Sequence, residues 1–487
     1  MDKEIFDIRK FDEYKEDNRR EVKKAAGGLP LSLWETYSAF ANSNGGVILL
    51  GVVEREDGSW YTTGLKKKDT RKLIKNFWDT INDRKKVSIN LLTDSDIEPY
   101  EVGEDLILVI HVPLADRQDR PVYINDDMFG HTFRRNSEGD YHCTKAQVKG
   151  MLRDQLEDTM DMEMLKDIPM DYLNYETISG YRNRHRSLKA GHPFERQTDE
   201  EFLRSIGAAA IDNKGVYHPT GAGLLMFGDE YNIVRQYPEY FLDYREMLDP
   251  TIRWTDRVQS SSGEWSGNVC DFYFRVYNKI IKEAKVPFKM VEGTRIDDTP
   301  VHRALREALA NCLVNADFYG TRGVVIKLEN HRLTLENPGY IRVGKRQIRL
   351  GGVSDPRNKG LMKMFNLIDI GERAGSGVPD IFNTWEDEGY EAPIIVEEFD
   401  PDRTRLVLSF EKKKKQAIKT NDKKQTIKSQ ENRRKIIAFL EKNGEARTAE
   451  IAKAIGLSTD RTRVILAGMV ELEALGGNRN RTYRLKS

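Results

Sequence analysis

Hydrophobic positions in the first third of this chain form short buried runs separated by one helical stripe. Residues 47–53 are a continuous apolar run entered through Gly45-Gly46, and residues 106–112 are another, so both predict buried strands. Between them, residues 67–81 have the apolar spacing of an amphipathic helix. This alternation predicts a mixed α/β segment from about Arg9 to Arg135.

The pattern changes twice further along the chain. Helical signals dominate from about Thr144 to Lys189, and Thr198 with Glu201 three residues later is a capping box that predicts a helix start. Apolar residues at helical spacing return over residues 301–318. Residues 324–336 then predict a hairpin around Asn330-His331, so a second α/β block is expected from about 299 to 411.

The C-terminal fifth begins with a basic segment. Residues 412–428 contain eight lysines and almost no large apolar side chains, which predicts a solvated linker or, alternatively, a tether that contacts phosphates. Residues 432–485 recover helical periodicity and end in a basic strand pair, the pattern of a winged helix-turn-helix that reads DNA or mediates protein contact. The candidate DNA contacts are Arg461, Arg463, Arg479 and Arg481.

Composition adds limits to this outline. A length of 487 residues predicts about three domains, and 39% hydrophobic with 32% charged residues is typical of a soluble, charge-rich protein. Because the formal net charge is zero, any nucleic-acid affinity must come from local patches. Cys143, Cys270 and Cys312 lack zinc-like spacing and fit a reducing cytoplasm. No signal peptide or membrane-spanning run is expected.

One polar stripe on the helix predicted over residues 301–318 has the chemistry of a nucleotide site. Glu307, Asn311 and Asn315 follow one another at i, i+4 and i+8, so they share one face. An asparagine oxygen can coordinate Mg²⁺, and a glutamate can position or deprotonate a water molecule. Gly375-Ser-Gly377 opens a later helix and would expose backbone N–H groups to phosphate. The alternative is an ordinary polar helix face.

A second polar constellation lies near the N-terminus. Glu21 and Lys23 would share one face of a strand, Glu16 precedes them by five residues, and Glu54 follows a buried strand. Three converging carboxylates beside a lysine predict an Mg²⁺ or Mn²⁺ centre for phosphodiester cleavage, with the lysine offsetting phosphate charge. The alternative is a set of solvent-exposed carboxylates in a charge-rich chain.

Basic residues nearby predict a surface for phosphate contacts. Lys67 and Arg71 belong to a lysine-rich helix, and Arg134-Arg135 follow Phe133. Binding through such patches would be salt-sensitive and weakly sequence-selective. A solvated helix face is the alternative interpretation.

Residues from about 300 to 410 resemble the divergent GHKL-type (Bergerat) ATP-binding domain. The resemblance rests on the segment from Glu307 to Asp317, followed by Asn337-Pro-Gly339 and the Gly-Ser-Gly motif. It implies ATP and Mg²⁺ as cofactors, with Glu307 as base and Asn311 as metal ligand. Asn337 replaces the usual aspartate and the longer lid is missing, so ATP binding is better supported than turnover. The implied ATP-binding residues are Glu307, Asn311, Asn315, Asp317, Asn337, Gly339, Gly375 and Gly377.

The N-terminal segment is similar to the Schlafen AlbA-like domain. The similarity rests on Ala39-Phe-Ala-Asn-Ser-Asn-Gly-Gly46 and on the acidic residues that precede it. In nuclease members of that family three acidic residues occur at this kind of spacing, and they map onto Glu16, Glu21 and Glu54. Many bacterial relatives are described only as nucleic-acid binders. The resemblance therefore implies nucleic-acid binding and leaves cleavage open.

Together these resemblances predict an α+β multidomain protein of a family described as transcriptional regulators or divergent ATPases, some linked to phage defence. One hypothesis is an ATP-responsive DNA- or RNA-binding protein, cytoplasmic and homo-oligomeric. The other is a metal-dependent nuclease gated by the ATP site. The predicted organisation is an AlbA-like domain at 1–143, a helical or mixed connecting region at 144–297, a GHKL-like α/β sandwich at 298–411, a Lys-rich linker at 412–430 and a winged helix-turn-helix at 431–487.

Overall fold

The computed structural model divides the chain into two compact units, Met1–Lys412 and Lys413–Ser487, which we describe separately. The division falls at the start of the lysine-rich segment. The structure describes residues 6–25, 27–283, 289–291, 294–296, 298–371, 375–413, 436–437, 439–441, 443–455, 459, 462, 466, 469, 472–475 and 482–485.

The N-terminal part of the first unit contains a four-stranded sheet of order β1-β2-β6-β5, in which β1 runs parallel to β2 and the other pairs are antiparallel. Two shorter hairpins, β3-β4 and β7-β8, lie beside it. The elements are α1 (Ser32–Ala41), α2 (Lys67–Ile81), β1 (Arg20–Lys23), β2 (Gly46–Leu50), β3 (Val52–Glu54), β4 (Trp60–Thr62), β5 (Ile97–Val102), β6 (Asp105–Val112), β7 (Phe133–Asn136) and β8 (Gly139–His142).

Both faces of this sheet are buried, which explains the continuous apolar runs. Ile48 and Ile110 pack with α1 and α2 on one face, while Val47 and Val109 pack with Trp60 on the other. The predicted strand at 106–112 and helix at 67–81 are confirmed. The predicted strand at 47–53 is interrupted at Gly51, which has φ +89° and whose added Cβ would lie 2.7 Å from Leu65.

The remainder of the first unit is a helical layer on a six-stranded sheet of order β12-β11-β15-β16-β18-β17. Its helices are α3 (Lys145–Asp154), α4 (Tyr175–Leu188), α5 (Asp199–Ile206), α6 (Gly221–Phe227), α7 (Glu230–Gln236), α8 (Val269–Glu283), α9 (Pro300–Val314), α10 (Lys345–Leu350), α11 (Lys359–Leu367) and α12 (Gly377–Asp387). Its strands are β9 (Ala209–Ile211), β10 (Tyr217–Pro219), β11 (Leu242–Met247), β12 (Asp256–Gln259), β13 (Lys289–Val291), β14 (Thr294–Ile296), β15 (Val324–Glu329), β16 (Arg332–Pro338), β17 (Ile394–Phe399) and β18 (Asp402–Ser409).

This sheet corrects the predicted boundary between residues 297 and 298. Strand β11 pairs in parallel with β15, with Tyr244 opposite Ile326, and one hydrophobic core extends from Leu165 to Leu408. The connecting region therefore supplies strands and core to the second α/β block. The β15-β16 hairpin and the capping box of Thr198 with Glu201 are confirmed.

The second unit contains a three-stranded antiparallel sheet of order β19-β21-β20. Ile436, Leu440, Ile451 and Tyr483 belong to its buried core. Arg461, Arg463, Arg479 and Arg481, the predicted DNA contacts, lie outside the residues that the structure describes. The described elements are α13 (Thr448–Ile455), β19 (Glu445–Arg447), β20 (Leu472–Leu475) and β21 (Thr482–Leu485).

Candidate functional site

Helix α9 presents the predicted polar stripe on one face. Its opposite face, including Leu305 and Leu309, is buried in the hydrophobic core. On the polar face, the Asn311 side-chain N–H donates to Glu307 Oε1 at 2.9 Å, and the Asn315 side chain donates to the Asn311 carbonyl at 3.0 Å. Burial of the apolar face fixes the rotation of the helix, so the stripe faces a cavity above the sheet.

That cavity brings together most of the residues predicted to bind ATP. Asn337, at the end of β16, donates its side-chain N–H to the carbonyls of Asn315 (3.4 Å) and Pro338 (3.1 Å), which leaves its amide oxygen as an acceptor. Apolar side chains such as Ile341 and Leu406 complete the wall. The predicted residues that line it are Glu307, Asn311, Asn315, Asn337, Gly375 and Gly377.

The pocket is narrow. Its volume is about 130 Å³, whereas ligand pockets usually measure roughly 300–1,000 Å³. One constriction lies at the start of α12, where a Cβ added to Gly377 would overlap the Glu307 carboxylate. A second cavity of about 340 Å³ is lined by Glu307 and Gly377 together with Arg303. Glu307 and Gly377 therefore line both cavities.

Two predicted ATP residues lie outside the pocket lining. Asp317 forms an ion pair with Arg153 at 2.6 Å and accepts the backbone N–H of Tyr319 at 3.1 Å. Gly339, with φ +96°, packs against Arg357, whose guanidinium would overlap an added Cβ. Asp317 is therefore held in an ion pair with Arg153, and Gly339 forms a tight turn against the Arg357 guanidinium.

A buried ion-pair network next to the pocket was not predicted from the sequence. Arg357 donates to the Asn315 carbonyl at 2.9 Å and pairs with Asp154 of α3 at 2.8 Å, 203 positions away. Burial acts to raise the pKa of Asp154, but Arg357 and Arg342 outweigh it and hold that pKa below its usual value. This network fixes the end of α9 to α3, and no local sequence pattern marks it.

In the N-terminal domain, the predicted acidic residues do come together. The backbone N–H of Val22 donates to Glu16 Oε1 at 2.9 Å, and the backbone N–H of Glu16 donates to Glu54 Oε2 at 3.3 Å. Burial, and then the neighbouring Glu21 and Glu54 carboxylates, raise the pKa of Glu16 to about 7. The three side chains form the acidic cluster.

Basic side chains neutralise the central carboxylate of the acidic cluster. Glu21 is 9% exposed, and its two carboxylate oxygens are paired with Lys23 Nζ at 2.6 Å and Arg135 Nη2 at 2.8 Å. Among the described residues, no group of three or more His, Cys, Asp or Glu side chains is placed to hold a metal ion. In this structure two cations therefore pair with the central carboxylate of the predicted metal set of Glu16, Glu21 and Glu54.

The predicted basic surface is corrected in part. Arg134 pairs with Asp402 at 2.7 Å and Arg135 pairs with Glu21 and Asp140, and both side chains are buried. They are consequently not placed to contact a phosphate backbone. Arg71 is exposed on α2, as are its neighbours Lys72 and Lys75, whereas the Lys67 side chain lies outside the described residues.

Comparison with known families gives three matches along the first unit. Residues 10–144 match the model "Schlafen, AlbA_2", and residues 321–408 match "Putative ATP-dependent DNA helicase recG C-terminal". Residues 149–243, between them, match a domain of unknown function, DUF8451. The two predicted resemblances, to a Schlafen AlbA-like domain and to an ATPase-type domain, are thus shown.

Two solved structures were also similar. The DIP2311 protein from Corynebacterium diphtheriae is 16% identical, with 96% of this chain and 92% of that chain covered and a TM-score of 0.42. The N-terminal domain of a RecG-related protein from Nitrosomonas europaea is 25% identical over 26% of this chain and 82% of that chain, with a TM-score of 0.19. No curated protein matches significantly. Within the described residues, none of the helices combines the length and apolar character needed to cross a membrane.

Proposed function

We propose that this chain, which carries a Schlafen AlbA_2 domain and a RecG C-terminal-type domain, is an ATP-binding protein that regulates its own association with nucleic acid. The observation that carries the proposal is the shared pocket. Residues from α9, the end of β16 and the start of α12 line one cavity, although they are separated by up to 70 positions in the chain.

Each pocket residue has a role that fits ATP·Mg²⁺. The Asn311 nitrogen donates to Glu307, so its amide oxygen is the atom suited to a magnesium ion. The anchored amide of Asn337 offers an oxygen to an exocyclic amino group. The backbone at Gly375 and Gly377 can approach phosphate because neither residue has a side chain. Magnesium would neutralise phosphate charge that these uncharged groups leave uncompensated.

The proposal is tested with the full chain by thermal unfolding and by fluorescence anisotropy with labelled oligonucleotides. ATP·Mg²⁺ at one hundred times its dissociation constant should stabilise the protein by about 2.7 kcal/mol. ATP should also change the affinity for DNA or RNA. An unchanged melting temperature at millimolar ATP would reject the nucleotide site, and no oligonucleotide binding at low salt would reject nucleic-acid association.

A nuclease gated by ATP is the second candidate, favoured by the proximity of Glu16, Glu21 and Glu54. Labelled tRNA, single-stranded DNA and duplex DNA are incubated with the protein and Mg²⁺ or Mn²⁺, alongside Glu21→Gln. Cleavage that the variant loses would establish the nuclease. Binding without cleavage would support the regulator, which is the outcome we expect because Lys23 and Arg135 already pair with Glu21.

A further inference from the structure

Another cavity in the first unit, separate from the two described above, lies between the AlbA_2 domain and helix α10. Its volume is about 540 Å³, larger than that of the nucleotide pocket. On the AlbA_2 side it is lined by the turn after α1, including Asn44 and Gly45, and by Arg19. We call this cavity the basic groove; its α10 side is formed by Lys345, Arg346, Gln347 and Leu350.

Backbone atoms bring the two walls close together. Gly45 has φ +64°, and an added Cβ would lie 2.8 Å from the Val112 carbonyl oxygen and 2.9 Å from the Leu114 backbone N–H group. On the opposite side, an added Cβ at Gly344 would lie 3.1 Å from the Leu114 side chain. Residues 112–114 therefore form a common floor on which the turn and the start of α10 both rest.

The basic groove has the chemistry of a phosphate-binding surface. Arg19, Lys345 and Arg346 contribute three positive charges, and Asp96 is the carboxylate among the lining residues. Lys345 is 41% exposed and lies 3.5 Å from Glu397, so its ammonium group is accessible to a second anion. Asn18, Asn44 and Gln347 add side-chain amides. Since the whole chain has no net charge, such a local patch is where anion affinity must arise.

Helix α10 also forms part of the nucleotide pocket. Ile348 lines that pocket, while Lys345 and Arg346 of the same helix line the basic groove. Val343, just before the helix, lines both cavities. A displacement of α10 would therefore alter both cavities at once.

The ends of α10 have the conformational freedom that such a displacement needs. Gly344 precedes the helix with φ +82°, and Gly351 and Gly352 follow it with φ +76° and +78°. The Gly352 N–H donates to the carbonyl of Gly375, which lines the nucleotide pocket, at 3.2 Å. Because glycines bound α10 on both sides, it is the wall of the nucleotide pocket that we expect to move when ATP enters.

We propose that the basic groove binds the sugar-phosphate backbone of single-stranded nucleic acid, and that ATP changes this affinity by moving α10. The inference rests on the proposed function and assigns its nucleic-acid site. A cavity of about 540 Å³ between two walls suits a few nucleotides of one strand, as in other grooves that follow a single-stranded backbone. Contacts to phosphate would make the site weakly sequence-selective.

The test compares the double variant Lys345→Glu/Arg346→Glu with wild type and with Arg349→Glu. Arg349 belongs to the same helix but stacks on Phe382, with its guanidinium carbon 4.7 Å from the ring centroid. Affinities for labelled oligo-dT and oligo-U are measured by anisotropy between 50 and 200 mM salt, with and without ATP·Mg²⁺. Melting temperatures with ATP show whether each variant keeps its fold and nucleotide site, and Lys345→Gln/Arg346→Gln replaces the double variant if it does not fold.

We expect the double variant to bind at least tenfold more weakly and its logarithmic salt slope to fall by roughly 1.4, for two lost single-strand contacts. Arg349→Glu should bind within about threefold of wild type. If the wild type binds and the double variant binds equally well, the groove assignment is overturned while the proposed function survives. If the wild type binds neither oligonucleotide, the single-strand assignment is overturned, and the proposed function fails with it only if duplex DNA also does not bind. Binding that needs the groove but ignores ATP would overturn the coupling through α10.

Discussion

The nucleotide pocket and the acidic cluster were both predicted from polar residues, yet the structure treats them differently. In the pocket, Glu307 and Asn311 contact each other and line an open cavity. In the acidic cluster, Glu21 is buried and neutralised by Lys23 and Arg135. One set of polar side chains thus lines a cavity, and the other is held mainly by its own protein.

The difference shows what spacing along a chain can determine. Residues one helical turn apart must share a face, so the Glu307 stripe follows from the helix alone. Carboxylates on separate strands can converge, but their charge state depends on cations from elsewhere. Arg135 is 114 positions from Glu21, and it decides whether that carboxylate can accept a metal ion.

The largest effect on stability should come from removing Arg135, the arginine that pairs with Glu21 of the acidic cluster. Arg135→Met leaves Asp140 and one oxygen of Glu21 without their cation, and it also removes donors to the Asp17 carbonyl. We expect a loss of about 3–5 kcal/mol in the free energy of unfolding, measured by urea denaturation. The exposed Arg71→Met is the control and should change stability by less than about 0.5 kcal/mol. Equal stability of both variants would favour a surface role for Arg135.

A buried carboxylate without a cation offers the converse test. Asp161 is 1% exposed and accepts hydrogen bonds from Thr159 and Leu361, and burial raises its pKa to about 6. The stability that it contributes is fully present below its ordinary pKa near 4 and is lost as pH rises through 6. Asp161→Asn does not titrate; its amide oxygen can still accept from the Leu361 N–H group, and its NH2 group can donate to the Thr159 hydroxyl.

Unfolding curves at pH 4 and pH 8 should therefore show wild type losing about 2–3 kcal/mol relative to Asp161→Asn over this interval. The same comparison with Asp79→Asn, on α2, serves as control. A difference between Asp161→Asn and wild type that stays constant with pH would mean that Asp161 is ionised in the folded protein.

Removing one amide from the pocket should weaken nucleotide binding with little effect on the fold. Asn311→Ala deletes the proposed magnesium ligand and the donor to Glu307. We expect at least a tenfold loss of ATP affinity, about 1.4 kcal/mol, by isothermal titration calorimetry. Asn76→Ala, on the exposed side of α2, should bind ATP as wild type does. An unchanged ATP affinity in Asn311→Ala would show that the polar stripe of α9 does not contact the nucleotide.

The smallest effect on stability should come from Gly377→Ala. The added methyl group would overlap the end of the Glu307 side chain, which can rotate away, so we expect a change of less than about 1 kcal/mol. Displacing that carboxylate should nevertheless reduce the ATP-dependent rise in melting temperature. Gly180→Ala in α4, where an added Cβ meets no atom within 4 Å, is the control. A full ATP response in Gly377→Ala would show that Glu307 does not need its present position.

Local patterns predicted those parts of the molecule that local interactions build. The hairpin of β15 and β16, helix α2 and the stripe on α9 follow from periodicity and turn residues over short segments. The pairing of Arg357 with Asp154 joins residues 203 positions apart, and no periodicity reports it. Glu307, Asn311 and Asn315 line the cavity together because one helical face carries them, whereas Arg342, Asp355 and Arg357 reach the same cavity from later segments.

The burial and pairing of charged side chains were the properties hardest to predict from the sequence. Arg134 and Arg135 look like a surface patch because two adjacent basic residues usually face water. The structure buries both because Asp402 and Glu21 compensate them from distant segments. Strand β11 was not predicted for a similar reason, since its parallel partner β15 lies far along the chain, with Leu242 opposite Val324.

The parallel pairing of β11 with β15 limits how this protein can be divided. A fragment starting at residue 298 would keep β15 but lose the strand that pairs with its outer side. The backbone of an apolar segment, Val324-Val-Ile326, would then become an open sheet edge, which is a template for aggregation. The region matched by the RecG C-terminal model, 321–408, is therefore shorter than the sheet to which it belongs, because β11 and β12 precede it. Any shuffling of this ATPase-type module between proteins has to carry the preceding strands with it.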